Sequence, residues 1–122
     1  MSTPVRSFSS PILKWPERAE VVAGLRQWVE RQRASHPELL RVGYFGSLTD
    51  GVRYGIGSDA DVVAVVTQSS REHWWERPLD FDPTSEVPVN VDLFVYTEEE
   101  FAQILARGDA FSRDMQNVVW LA

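Results

Sequence analysis

Five consecutive apolar residues, Val62-Val-Ala-Val-Val66, constrain the fold most, because four of them are valine and none is polar. A strand with one wet face alternates polar and apolar, so an unbroken β-branched run of this length reads as a strand covered on both faces. A second apolar run, Leu39 to Phe45, precedes it, and a glycine-rich loop holding Gly51, Gly55 and Gly57 joins the two. Gly43 inside the first run marks a place where another backbone can approach closely. A third run, Val89 to Tyr96, alternates, with Asn90 and Asp92 on one face and Val91, Leu93 and Val95 on the other. Val118 to Leu121 adds a short terminal strand.

Helical spacing fills the gaps between these runs. From Pro16 onward, Val21, Val22, Leu25, Trp28 and Val29 form one stripe suited to packing on a sheet, and the helix must stop before Pro37, which pushes His36 out of the helical region. Thr97 with Glu100 makes a capping box for a helix ending at Gly108, with Phe101, Ile104 and Leu105 as its buried positions. Asp109 caps a last short helix carrying Phe111 and Met115. Leu48 to Val52 reads as one helical turn. Gln68 to Pro88, with three prolines and Trp74-Trp75, reads as loop with a short helix near Arg71 to Glu76. The fold class that results is α+β in two layers: a small mixed sheet of three to four strands flanked by helices. Residues 1–15 form an N-terminal arm and 16–122 one domain, the size at which a single core is ordinary.

Composition excludes several functions. The formal net charge of -6 argues against a nonspecific nucleic-acid surface. With no cysteine there are no disulfides or thiolate ligands, and no run approaches the roughly 18 apolar residues of a membrane span. A cytoplasmic location is the expectation.

The chemistry gathers around the loop. Asp59 and Asp61 alternate at the entrance of the second strand, so they share a face about 7 Å apart. Two carboxylates there repel and are costly to desolvate unless a cation lies between them, and without His or Cys nearby the fitting ion is Mg²⁺ or Mn²⁺. Asp92 on the third strand is the candidate third ligand. Gly46-Ser47, leaving the first strand, lets a phosphate approach free backbone N–H groups. Each feature alone has a plainer reading as a turn. The same holds for Gly55-Ile-Gly57 as a hinge, for Asp80-Phe-Asp82 beside Pro83, and for His36 and His73 in loop or surface positions. Trp28 and Trp120 read as core, and Trp74-Trp75 as packing.

Taken together, Phe45-Gly46-Ser47, Ser58-Asp59-Ala60-Asp61 and Val91-Asp92-Leu93 resemble the minimal nucleotidyltransferases of the DNA polymerase β-like superfamily, antitoxin type. The resemblance covers roughly residues 17 to 121. It implies transfer of a nucleoside monophosphate, AMP above all, from a nucleoside triphosphate such as ATP to an acceptor, with Asp59 and Asp61 as catalytic metal ligands and Asp92 completing the site as a further metal ligand or by helping to deprotonate the acceptor hydroxyl. Gly46 and Ser47 would hold the phosphates. Asp50 stands where many relatives carry Arg, and Arg53 is the cation placed to compensate and to bind phosphate. The resemblance also implies a HEPN-domain protein partner, as in a toxin-antitoxin pair, or a homodimer. The alternative is a noncatalytic protein that keeps the fold as a partner platform.

Overall fold

In a computed structural model, residues 15–122 are described, and all statements below concern them. Helix α1 (Arg18–Ser35) leads into β1 (Leu39–Phe45), a 3-10 turn (Gly46–Thr49), β2 (Ala60–Val66), a second 3-10 helix (Trp74–Asp80), β3 (Val91–Thr97), α2 (Glu98–Ala106), α3 (Ala110–Gln116) and β4 (Val119–Trp120). The four strands form one mixed sheet in the order β3-β2-β1-β4. β1 runs antiparallel to β2 and β4, whereas β2 and β3 are parallel. The expected α+β class is the observed one. The expected N-terminal arm lies outside the described residues apart from Trp15, which is half-buried.

β2 is central and buried from Val62 to Val66, as its sequence requires. One face of the sheet packs α1 through Val21, Leu25, Trp28 and Val29 against Val42, Tyr44, Val62 and Ala64. At roughly 1.5–3 kcal/mol per fully buried large apolar side chain, that stripe anchors the layer. The other face packs Phe45, Val63, Val65 and Tyr96 against Phe101, Ile104 and Met115 of α2 and α3. Both capping expectations hold: Thr97 accepts from the Glu100 N–H within a capping box, and Asp109 accepts from the Ser112 N–H. Gly43 is where β4 closes in, since a Cβ there would lie 2.6 Å from the Val119 carbonyl oxygen.

Several boundaries differ from the sequence reading. β2 begins at Ala60 rather than Val62, because Ala60 N–H donates to the Asn90 carbonyl, so Asp61 lies inside the strand. The helical turn falls at Gly46–Thr49, starting two residues earlier than expected, where Thr49 Oγ1 donates to the Gly46 carbonyl at 2.7 Å. The helix expected at 71–76 is a 3-10 helix at Trp74–Asp80 that contains Pro78. Long-range polar contacts shape the segment that follows it. Asp82 receives Arg31 and Gln32 from α1, and its carbonyl accepts from Trp28 Nε1 at 3.0 Å. Trp28 is buried as expected, while Trp120 is half-buried beneath the Arg41 guanidinium, 3.7 Å from the ring centre. No helix is long and apolar enough to cross a membrane.

Candidate active site

Topology does the gathering. Because β1 is antiparallel to β2, and β2 parallel to β3, the end of β1 and the starts of β2 and β3 share one end of the sheet. Phe45 pairs with Asp61, and Asp61 pairs with Asp92 across neighbouring strands about 4.8 Å apart. Asp61 and Asp92 lie on the face that carries α2 and α3, since side chains alternate and Val63 and Phe94 pack there.

Gly46 and Asp61 are fitted to each other. Gly46 has φ +71, a left-handed conformation that L-residues rarely adopt, and a Cβ on it would stand 2.6 Å from an Asp61 carboxylate oxygen. Only glycine leaves room for that carboxylate. The expected Gly-Ser turn and the expected acidic strand therefore meet in space.

The electrostatics of Asp61 are uncompensated. Burial pushes its carboxyl above the ordinary aspartate range, and the negative charges of Asp92, Asp59 and Asp114 push it further. Every charged group acting on it is acidic. Asp114, on α3, is a carboxylate that sequence reasoning missed, because nothing in the chain before folding says that α3 crosses this end of the sheet. Asp59 and Asp92 are exposed, with Asp59 just before β2 rather than in it. No three His, Asp or Glu side chains among the described residues close into a set that could hold a metal ion. The donor chemistry nevertheless suits a hard divalent ion: oxygen ligands, clustered negative charge and a partly desolvated carboxylate.

The loop between the strands is internally bonded. Asp50 accepts from the Val52 N–H at 2.8 Å and from Arg53 Nε at 3.0 Å, and these bonds, the backbone one foremost, hold its carboxyl below the usual range. Arg53 thus pairs with Asp50 and also reaches the Gly46 carbonyl at 3.3 Å. Ser58 Oγ accepts from the Gly55 N–H, closing the hinge. Arg18 is a second residue the sequence reading passed over. It donates to the Leu48 carbonyl and to Tyr44 Oη, fastening the Gly46–Thr49 turn to α1. A cation in the first turn of a helix opposes the dipole, and that was its one sequence signal.

No family model matches the chain, and no curated protein matches it. Among solved structures it is similar to the crystal structure of a "putative nucleotidyltransferase" from Sulfolobus solfataricus, with a TM-score of 0.57 and 23% identity over 75% of this chain and 84% of that one. The fold is a nucleotidyltransferase fold. Within this nucleotidyltransferase fold two cavities differ in relation to the carboxylates. The larger, about 860 Å³, lies at the opposite end of the sheet between His36, Thr67, Ser69 and Phe81. A smaller one, about 530 Å³, lies on the carboxylate face between Trp74, Phe94, Tyr96 and Phe111. Size alone would favour the first, but it meets β3 at Val95, whereas the second is lined by Phe94 and Tyr96, which share the sheet face of Asp92.

Proposed function

We propose that this chain transfers a nucleoside monophosphate, AMP above all, from a nucleoside triphosphate to an acceptor hydroxyl in the cytoplasm. The observation that carries this reading is the Asp61 carboxylate, pressed against Gly46 and surrounded by three further carboxylates without an opposing charge. A fold does not keep such a group for stability, since replacing it with an amide would remove repulsion.

In the reaction, an acceptor oxygen bonds to the α-phosphorus while the bond from that phosphorus to the bridging oxygen breaks, and pyrophosphate leaves with the bridging oxygen. Asp92 takes the acceptor proton on a carboxylate oxygen. Gly46 and Ser47 hold the terminal phosphates, the absence of a side chain at Gly46 leaving its backbone open to them. Arg53 lies beside this turn and adds positive charge in a form tempered by Asp50. Asp59 and Asp61 would hold divalent ions, Mg²⁺ or Mn²⁺, with Asp92 as a third ligand wherever it is not the base, and such ions would supply neutralisation of charge on the attacking oxygen and the departing pyrophosphate. The acceptor is supplied by a protein partner, a HEPN-domain protein or a second copy of this chain. Val52 and Ile56, 92% and 84% exposed on the loop beside the site, suit such a contact.

One observation favours a noncatalytic partner platform instead: Arg53 is spent on Asp50, and the acidic side chains do not close into a metal-holding set. Incubation with ATP labelled at the α-phosphate, Mg²⁺ and lysate of the source organism separates the two. The transferase reading expects a labelled macromolecule with wild type and none with the Asp59→Asn/Asp61→Asn double variant. Equal labelling by both proteins, or none by either together with no Mg²⁺-dependent rise in melting temperature on adding ATP, would sink it.

A further inference from the structure

The slot on the carboxylate face is walled by aromatic rings. Trp74 stacks on Phe94 with centroids 5.4 Å apart and planes 17° from parallel, and it also meets Tyr96 at 5.6 Å. Phe111 of α3 packs on Phe94 with centroids 5.9 Å apart, so the rings form one continuous aromatic surface lining the slot. Gln103 and Arg107 on α2 stand at the rim. At about 530 Å³ the slot lies within the range of roughly 300–1,000 Å³ typical of small-molecule sites.

Its position relative to the acidic residues is set by the strand. Phe94 is two residues beyond Asp92 on the same face, a displacement of about 7 Å along β3. A nucleotide whose phosphates lie at the carboxylates and whose ribose bridges that distance would bring its base to these rings. Aromatic walls recognise such a base by stacking, which every planar heterocycle permits, while an amide at the mouth offers both a donor and an acceptor to its edge.

We infer that the slot between Trp74, Phe94, Tyr96 and Phe111 binds the base of the nucleotide, with Gln103 reading its edge, and that it takes a purine nucleotide. The inference rests on the nucleotidyl-transfer reading for the placement of the phosphates. The slot itself stands on its ring geometry. A purine presents the larger stacking face to walls of this extent.

The test measures base and phosphate separately with the full chain. Millimolar adenosine, which has no phosphate, should move the indole N–H resonance of Trp74, assigned from Trp74→Phe. Calorimetric titration with Mg²⁺ should show ATP binding weakened about tenfold by Trp74→Ala, the scale of one lost stacking partner. The exposed substitution Gln103→Trp, which plugs the mouth without touching the core, should weaken it similarly. Tripolyphosphate affinity should stay unchanged in both variants and fall in Asp61→Asn. An unmoved Trp74 resonance, or ATP affinity unaffected by both slot variants, overturns the slot assignment and leaves nucleotidyl transfer standing. Tripolyphosphate binding that is absent or indifferent to Asp61→Asn overturns nucleotidyl transfer, and the adenosine shift still decides the slot.

Discussion

A buried charge and a half-buried one sit at opposite ends of the same sheet and are treated in opposite ways. Arg77 is 4% exposed, and its guanidinium is satisfied throughout. It donates to the carbonyls of Arg71, Val95 and Glu72 at 2.9, 3.2 and 3.0 Å and to both carboxylate oxygens of Glu100. Asp61 is half-buried and meets only like charge. A compensated buried charge ties segments together: here Arg77 fastens the Trp74–Asp80 helix to β3 and α2. An uncompensated one costs stability, a cost that a bound cation would offset under the proposed reading.

The sharpest way to break this contrast is Asp61→Asn. Label transfer should fall by roughly 10³-fold, about 4 kcal/mol of transition-state stabilisation. The melting temperature should hold or rise by on the order of 2 °C as repulsion is relieved. A melting temperature several degrees lower would mean that Asp61 is structural and that the two ends do not differ in kind.

Arg77→Ala is the converse. Removing one partner of a buried, hydrogen-bonded pair should cost about 3 kcal/mol of unfolding free energy, read from chemical denaturation. Arg77→Lys should recover little, because an ammonium cannot reproduce the planar fork that reaches three carbonyls and a carboxylate. Gly46→Ala comes next. A left-handed alanine costs about 1–2 kcal/mol, and its methyl would also displace the Asp61 carboxylate. Mg²⁺-dependent ATP binding should therefore weaken more than the melting temperature alone would suggest. Normal ATP binding in this variant would show that the fit between Gly46 and Asp61 has no functional meaning.

The two ends should also respond to acid with opposite signs. Glu100 is held below its ordinary value of 4.5, chiefly by its hydrogen bond from Arg77, so its stabilisation is present above that pH and lost as pH falls through the lowered value. Asp61 is raised above 3.8, so the folded state holds its proton more tightly than the unfolded chain. Its contribution is present below pH 3.8 and is lost as pH rises through the raised value. Stability-against-pH curves of Asp61→Asn and Glu100→Gln, each compared with wild type, should diverge in opposite directions. The smallest effect expected is at Asp50→Ser, which frees Arg53. Tripolyphosphate affinity should rise about threefold, in line with one screened surface charge. An unchanged affinity would place Arg53 away from the phosphates.

Elements with a strong local signal were legible in the chain: the apolar run Val62–Val66 of β2, the apolar stripe of α1, and the two capped helices α2 and α3. The segment from 67 to 90 was not legible, because its conformation comes from Arg77, Asp82 and Glu86 reaching partners tens of residues away. The sequence also placed Gly46, Asp61 and Asp92 on three separate strands or strand ends, each a weak feature alone.

By itself, then, the order of residues determined the strands and the caps, since these depend on periodicity and on groups a few positions apart. Only the tertiary structure decided that Gly46 faces the Asp61 carboxylate, that Asp114 joins the acidic group, and that Trp74 and Phe111 line a cavity with Phe94. Those relations depend on strand order and on helices crossing the sheet, and no local pattern encodes them.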